Sequence, residues 1–422
     1  MTDQPEQGKL SPEQLVTLYK ISGEINSTLD FDEALDRAIT ALMNVTKAQR
    51  GFLMIADHSA GTLEVHVASG IDGETIEKEG YSTTIVNQVV ETEESLLTNN
   101  AQFDTRISPG ESIILRGLRA ILCAPMMVQD RLVGVVYLDT AMKRGAFHPS
   151  DKDLLDAACG IAARAIENAR LYKVAVEKGR LERELQMASD IQRNLLPSSM
   201  PDVDGYEIAP YWVAAREVAG DFYDAFELND GRFGTVIADV SDKGAPAALF
   251  MAVARTLIRS HSYGGEDPVS TMWRTNDLLV PDAEESGMFV TVFYSEFHPD
   301  GTSINVNGGH NPPALYRAST GEVEYMPMGG RALGWFPGNA FEAVEVRLAP
   351  GDVIVYYTDG LTEAENPNAE PYGEDRLSEA IKRLHSESAH DIRDHILEDV
   401  DIFCDGNPPF DDITMLVVRY IG

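Results

Sequence analysis

Paired cysteines are missing from this chain: Cys123, Cys159 and Cys404 are scattered over 422 residues. That spacing offers neither a disulfide framework nor a thiolate zinc site, and a reducing compartment is expected. Basic residues are also scarce, with 34 Lys and Arg against 68 Asp and Glu, a formal net charge of −34. Direct nucleic-acid binding, which needs clustered cations on phosphates, is excluded as an expectation. Long apolar runs are absent too. No uncharged stretch approaches the roughly 18–20 residues needed to cross a bilayer. The N-terminus lacks a basic-then-apolar signal pattern, so a cytoplasmic protein without a membrane partner is expected.

What the chain has in abundance is carboxylate. Solubility and self-repulsion account for most surface acids, and position alone can single out metal ligands among them. The length points to two domains. Residues 1–10 read as a disordered lead-in. Ser11-Pro12-Glu13-Gln14 then forms an N-cap, a first-turn proline and a capping-box partner. Leu15, Leu18, Ile21, Ile25 and Leu29 follow at helical spacing, and Asp30 and Glu33 open a second helix. Strand patterns come next: 52–55 with 63–67, then 121–128 with 132–138, each pair read as a hairpin. Short helices and loops are expected at 82–94 and 99–111.

From Ser150 to Pro197 a helical pattern runs uninterrupted by proline. Leu171, Val174, Lys178, Leu181, Leu185, Ala188, Gln192 and Leu195 alternate three and four apart. This is an imperfect heptad seam with Lys178 and Gln192 as polar interruptions, and it favours a parallel dimeric coiled coil over a lone amphipathic helix. Strands dominate after Pro201, with helices expected at 246–260, 268–279 and 375–385.

Four acids in this C-terminal half sit at strand termini. The apolar runs 233–238 and 353–358 stop at Asp239 and Asp359; Asp221 and Asp411-Asp412 open the runs 222–226 and 413–420. In an antiparallel sheet such ends and starts meet along one edge. Bare carboxylates gathered there repel one another unless cations lie between them, and oxygen-only ligands suit Mg2+ or Mn2+. Taken singly, Asp359-Gly360 is an ordinary turn and Asp411-Asp412 an ordinary strand start. The set of four reverses that preference.

The stretches 216–224 (REVAGDFYD), 238–251 (ADVSDKGAPAALFM), 307–313 (NGGHNPP), 357–364 (YTDGLTEA) and 411–414 (DDIT) resemble the SpoIIE-type branch of the metal-dependent protein phosphatase (PPM) superfamily, relatives of the type 2C enzymes. The resemblance covers about 181–422, including the lead-in helix. It implies two divalent cations, Mn2+ or Mg2+, with Asp239 bridging both and the Val240 carbonyl joining one. Asp359 and Asp411 would hold the other, and Asp221 would complete the set. Between Asp411 and Asp412, the relatives' pattern of Asp, variable, apolar, Ser or Thr favours Asp411. Arg216 is a candidate phosphate clamp by guanidinium geometry, set evenly against an ordinary surface arginine.

Departures from the pattern are Ala219 for a glycine, Asp242 for a glycine, and Ser241 where type 2C relatives carry the His proposed as general acid. The proton donor is therefore unassigned. His310, followed by Asn311-Pro312-Pro313, reads better as a structural histidine than as an acid.

Residues 11–170 resemble a GAF domain, most closely at 120–126 and 134–139. Phe103-Asp104 is at most a fragment of the cyclic-nucleotide signature, and no GAF ligand is chosen. The expected architecture is α+β in two domains: a GAF-like antiparallel sheet with helices, a coiled-coil linker at 171–200, and a PPM-type α-β-β-α sandwich at 201–422. The resemblance implies hydrolysis of phosphoserine or phosphothreonine by metal-activated water. The implied substrate is a phosphorylated STAS-type anti-sigma-factor antagonist, and regulation comes from the N-terminal domain of a homodimer. A non-catalytic binding module and a small-metabolite phosphatase are the competing readings.

Overall fold

The computed structural model describes residues 10–57, 61–70, 80–99, 119–141 and 147–422. The lead-in at 1–9, the turn at 58–60, the stretch 100–111 and Phe103-Asp104 lie outside the described residues. The chain divides into two compact units, 1–180 and 181–422.

The first unit begins with α1 (Pro12–Ile25), and Ser11 and Gln14 form the expected reciprocal capping box. In α2 (Phe31–Thr46) the Asp30 side chain accepts from the Glu33 N–H. One antiparallel sheet follows, built from β1 (Arg50–Asp57), β2 (Thr62–Gly70), β3 (Leu96–Thr98), β4 (Arg119–Val128) and β5 (Arg131–Ala141), in the order β2-β1-β5-β4-β3. Both expected hairpins are present as β1–β2 and β4–β5. Alternating residues bury opposite faces of this sheet. Leu53, Leu122, Val136 and Leu138 pack with α1, α2 and Leu155, Ala162 and Ile166. Phe52, Met54, Cys123 and Val135 pack with α3 (Thr83–Thr92). Across the inner strands β1 and β5, Arg50 is paired with the fully buried Asp139.

The long helix expected from Ser150 is real: α4 runs Pro149–Leu195 without a break. Its residues from Leu181 onwards belong to the second unit. Leu171, Val174 and Leu181 of the proposed seam are each more than half exposed, whereas Gln192 is buried. Gln192 is therefore no polar gap in a dimer seam; its partner lies in its own unit.

The second unit is a sandwich of two antiparallel five-stranded sheets. One contains β7 (Phe222–Glu227), β8 (Phe233–Val240), β9 (Val290–Phe297), β10 (Thr302–Gly308) and β13 (Ala343–Arg347), in the order β13-β10-β9-β8-β7. The other contains β6 (Tyr206–Val213), β11 (Ala314–Arg317), β12 (Glu322–Tyr325), β14 (Val353–Tyr357) and β15 (Ile413–Tyr420), in the order β12-β11-β14-β15-β6. Helices α5 (Ala245–Tyr263) and α6 (Pro268–Ser286) cover the first sheet. Helices α8 (Gly373–Leu384) and α9 (Ala389–Cys404) cover the second.

Strand β14 shows why its run is apolar throughout. Ile354 and Tyr356 face the core shared with the first sheet, while Val353, Val355 and Tyr357 face α8 and α9. A strand buried on both faces needs no alternation, and each large side chain so buried contributes roughly 1.5–3 kcal/mol. Tyr356 also ties the sheets together, its hydroxyl donating to Ser295 Oγ at 2.9 Å.

Two helices of the second unit escaped the sequence reading. Helix α9 has a Ser388 cap and Ile392, Ile396 and Val400 at spacing four, a signal that was present. The four-residue α7 (Asp359–Thr362) looks like a turn from sequence.

Candidate active site

Strands β7 and β8 pair antiparallel with Phe222 opposite Ala238. Asp221, just before β7, therefore lies beside Asp239, the penultimate residue of β8. In the other sheet Tyr357 pairs with Met415, which sets Asp359, at the head of α7, beside Asp411-Asp412. The four acids thus come from two sheets. They meet across one end of the sandwich, which corrects the expectation of a single shared edge. Thr414 Oγ1 bridges the sheets, donating to Asp221 Oδ2 at 3.1 Å.

A close backbone approach sets the second pair. Gly360 packs on the Asp412 carbonyl so tightly that any Cβ at 360 would collide with it. The glycine of the Asp-Gly pair is there for contact with the neighbouring strand, not for a turn. Gly220 plays a milder version of this part, since a Cβ there would stand 3.0 Å from the Val240 carbonyl oxygen.

Asp411 and Asp412 are adjacent and differently used. Asp412 is buried, and its two oxygens accept from Ala215 N–H and Gly220 N–H, both at 2.8 Å. Asp411 is 30% exposed at its side chain, and its Oδ2 lies 2.8 Å from Lys243 Nζ. Asp412 pins the loop that carries Asp221; Asp411 faces the open side of the cluster.

The electrostatics record the crowding. Burial first, then the charges of Asp359, Asp411 and Asp412, push the Asp239 carboxyl up to about 7. Asp221 is raised well above the usual carboxylate range by burial and then by Asp239. Asp359 is raised by burial and then by Asp411. Among the described residues no three such side chains close on a common point as a finished metal cage. The donors are nevertheless hard oxygens whose mutual repulsion a divalent cation would relieve, so the residues fit Mg2+ or Mn2+.

The surroundings assign several other residues. Ser241 is structural: its Oγ accepts from Phe289 N–H at 2.9 Å and its N–H donates to the Phe289 carbonyl at 2.9 Å. Asp242 has a φ of 78°, which explains a glycine at that position in relatives. Its carboxylate accepts from the following Lys243 N–H. Asp242 thus spends its side chain on its own turn. His310 is buried, with Nδ1 2.8 Å from Thr291 Oγ1, and burial lowers its pKa to about 4. At pH 7 the ring is therefore the neutral imidazole and not the imidazolium that a general acid requires, in keeping with a structural histidine. Arg216 is exposed and joins none of the ion pairs among the described residues.

One contact was invisible in the sequence. Gln192, near the end of α4, donates through Nε2 to the Ala219 carbonyl at 2.6 Å and accepts at Oε1 from the Ala219 N–H at 3.0 Å. Two residues on, Trp212 Nε1 donates to the Asp221 carbonyl at 2.9 Å, and Arg193 lies over the Trp212 ring. The end of α4 therefore holds the strand start that carries Asp221.

Residues 229–421 match the profile of the Stage II sporulation protein E (SpoIIE) family, and residues 28–167 match that of the GAF domain. The matches thus fall in the order GAF domain, then SpoIIE family, the order the sequence resemblance implied. Among curated proteins it is 34% identical to Protein IcfG of Synechocystis sp. over 56% of this chain and 41% of that one. It is 25% identical to the phosphoserine phosphatase RsbU of Bacillus subtilis, over 66% of this chain and 81% of that one. It thus spans less than half of the first relative and most of the second. Among solved structures, the SiaA-PP2C domain of Pseudomonas aeruginosa superposes with a TM-score of 0.51 at 21% identity, covering 58% of this chain and 99% of that domain. That likeness shows the fold, a PP2C-type sandwich. No helix among the described residues is long and apolar enough to cross a membrane.

Proposed function

We propose that this protein is a metal-dependent protein serine/threonine phosphatase whose second unit hydrolyses phosphoserine or phosphothreonine in one step. The observation that carries the reading is the convergence of Asp221, Asp239, Asp359 and Asp411 from two sheets onto one end of the sandwich. Asp239, whose carboxyl feels Asp221, Asp359 and Asp411, would hold both ions, with the Val240 carbonyl joining one, Asp359 and Asp411 holding the other and Asp221 completing the set. Asp411 is preferred to Asp412 because Asp412 is buried with both oxygens on the N–H groups of Ala215 and Gly220, whereas Asp411 is part-exposed, with Oδ1 on the Asp412 N–H and Oδ2 only on the Lys243 ammonium. Two divalent cations held there would lower the pKa of a water and offset the charge of the phosphoryl group. The chain's own part is to fix the carboxylates, through Thr414 on Asp221 and Gly360 beneath Asp359. Arg216, exposed on the loop before Asp221, is free to meet phosphate oxygens. No cysteine or histidine nucleophile enters.

The substrate proposed is a phosphorylated STAS-type anti-sigma-factor antagonist, in line with the phosphoserine phosphatase among the relatives. The GAF domain would sense a ligand or partner and act through α4. Gln192 gives that route a physical end point, since moving the helix moves Ala219 and with it Asp221. The exposed Leu171, Val174 and Leu181 supply a seam for a second copy in a homodimer. Sedimentation of the full chain beside Leu181→Glu tests the dimer; a monomer in both removes it. Phosphate release from such a partner by the full chain, with Mn2+ and with chelator, tests the activity. Equal release in chelator would exclude the metal reading.

A further inference from the structure

Lys243 is a cation already inside the acid cluster. Its Nζ lies 2.8 Å from Asp411 Oδ2 and 3.3 Å from the Phe410 carbonyl, and sits 4.6 Å from the centre of the Phe410 ring. It is also the cation whose charge bears on Asp359. Asp242, the neighbour in sequence, accepts from the Lys243 N–H and makes no ion pair with its ammonium. An ammonium on Asp411 and a divalent ion on the same carboxylate exclude each other, by direct competition for the oxygen and by like-charge repulsion.

Resting on the metal reading above, we propose that Lys243 is a built-in counter-ion for Asp411, which a divalent cation must displace in order to bind. In the metal-free protein the ammonium neutralises the outer carboxylates and keeps Asp411 in place. On metal binding it leaves Asp411 and its amine becomes free. Lys243 therefore stabilises the empty site and weakens the metal's hold on the filled one. The exchange is purely ionic, with no bond made or broken. The pair is part-exposed, which sets the effect at a moderate size.

The test is calorimetric titration of Mn2+ into the full chain at fixed ionic strength, for wild type, Lys243→Met, Lys243→Gln and Lys243→Arg. Lys243→Met and Lys243→Gln are expected to bind the ion about three- to tenfold tighter than wild type. Lys243→Arg, which keeps the charge, is expected to bind no tighter. The wild-type chain gives an independent readout by mass-spectrometric acylation of amines. Lys243 should react faster with Mn2+ than with chelator, while distant lysines do not change. Unchanged or weaker Mn2+ binding in the neutral variants, or slower labelling of Lys243 with Mn2+, would overturn the inference while leaving the metal site standing. If wild type takes up no Mn2+, the metal reading and the inference fall together.

Discussion

The two walls of the acid cluster are built to different ends. On the inner wall Asp221 is buried, its carboxylate held by Thr414 and its carbonyl by Trp212. Two residues before it, Ala219 is clamped by Gln192 of α4. On the outer wall Asp411 is part-exposed, and its side-chain partner is the Lys243 ammonium. A wall fixed by backbone contacts to a long helix is suited to receive a mechanical signal. A wall neutralised by a part-exposed ammonium is suited to exchange ions with solvent. On the proposed reading, regulation and metal uptake would enter the same site from opposite sides.

Removing the residue that joins the walls should have the largest effect. Asp239→Asn is expected to lower Mn2+-dependent phosphate release by about two orders of magnitude or more, measured as initial rate at saturating metal. Next comes the backbone contact on the outer wall. Gly360→Ala forces a methyl into the Asp412 carbonyl and is expected to cost about 3 kcal/mol in urea unfolding. The same substitution should weaken Mn2+ binding, since Asp359 and the Asp411-Asp412 pair move together.

The inner wall is sharpened by Gln192→Ala, which strands the N–H and C=O of Ala219 at a cost of about 1–3 kcal/mol. A loss of Mn2+ affinity in this variant, beside an unchanged Gln186→Ala at an exposed position of the same helix, would tie α4 to the site. Equal affinities would separate them.

A pH titration reads the crowding directly. Burial and neighbouring carboxylates hold Asp239 near 7, against about 4 for an unfolded aspartate. The folded state then binds the proton more tightly. Its contribution to stability in chelator is full below about pH 4 and lost as pH rises to about 7. Asp239→Asn should flatten that fall and raise the melting temperature of the metal-free protein at pH 7.5 by a few degrees, roughly 2–4 °C. The smallest effect is expected for Asp242→Gly, which relieves a left-handed residue but loses its bond to Lys243 N–H. Unfolding free energy should stay within about 1 kcal/mol of wild type, with catalysis unchanged.

What could be read in advance follows from the range of the forces involved. The capping box of α1, the uninterrupted α4 and the strands flanking each acid are set by neighbours in sequence, and each was legible there. The acids were found because strand termini show in a hydrophobicity pattern. Their meeting across two sheets was not legible, because a single-edge arrangement satisfies the same pattern. Only the family pattern separated Asp411 from Asp412 in the sequence; their physical difference comes from the Ala215 and Gly220 N–H groups on Asp412, roughly 190 residues away in the chain, and from Lys243 on Asp411. Gln192 looked like a flaw in a heptad because its partner, Ala219, lies beyond three prolines and a strand. Lys243 carried no signal at all, since an ion pair with Asp411 is made only by the fold.

The most direct measurement is phosphate release by the full chain, from a small aryl phosphate and from a phosphorylated STAS partner, with Mn2+, with chelator and with Asp239→Asn. The account predicts release that requires both the metal and Asp239. Release that persists in chelator or in Asp239→Asn, or silence toward both substrates with metal bound, would contradict it.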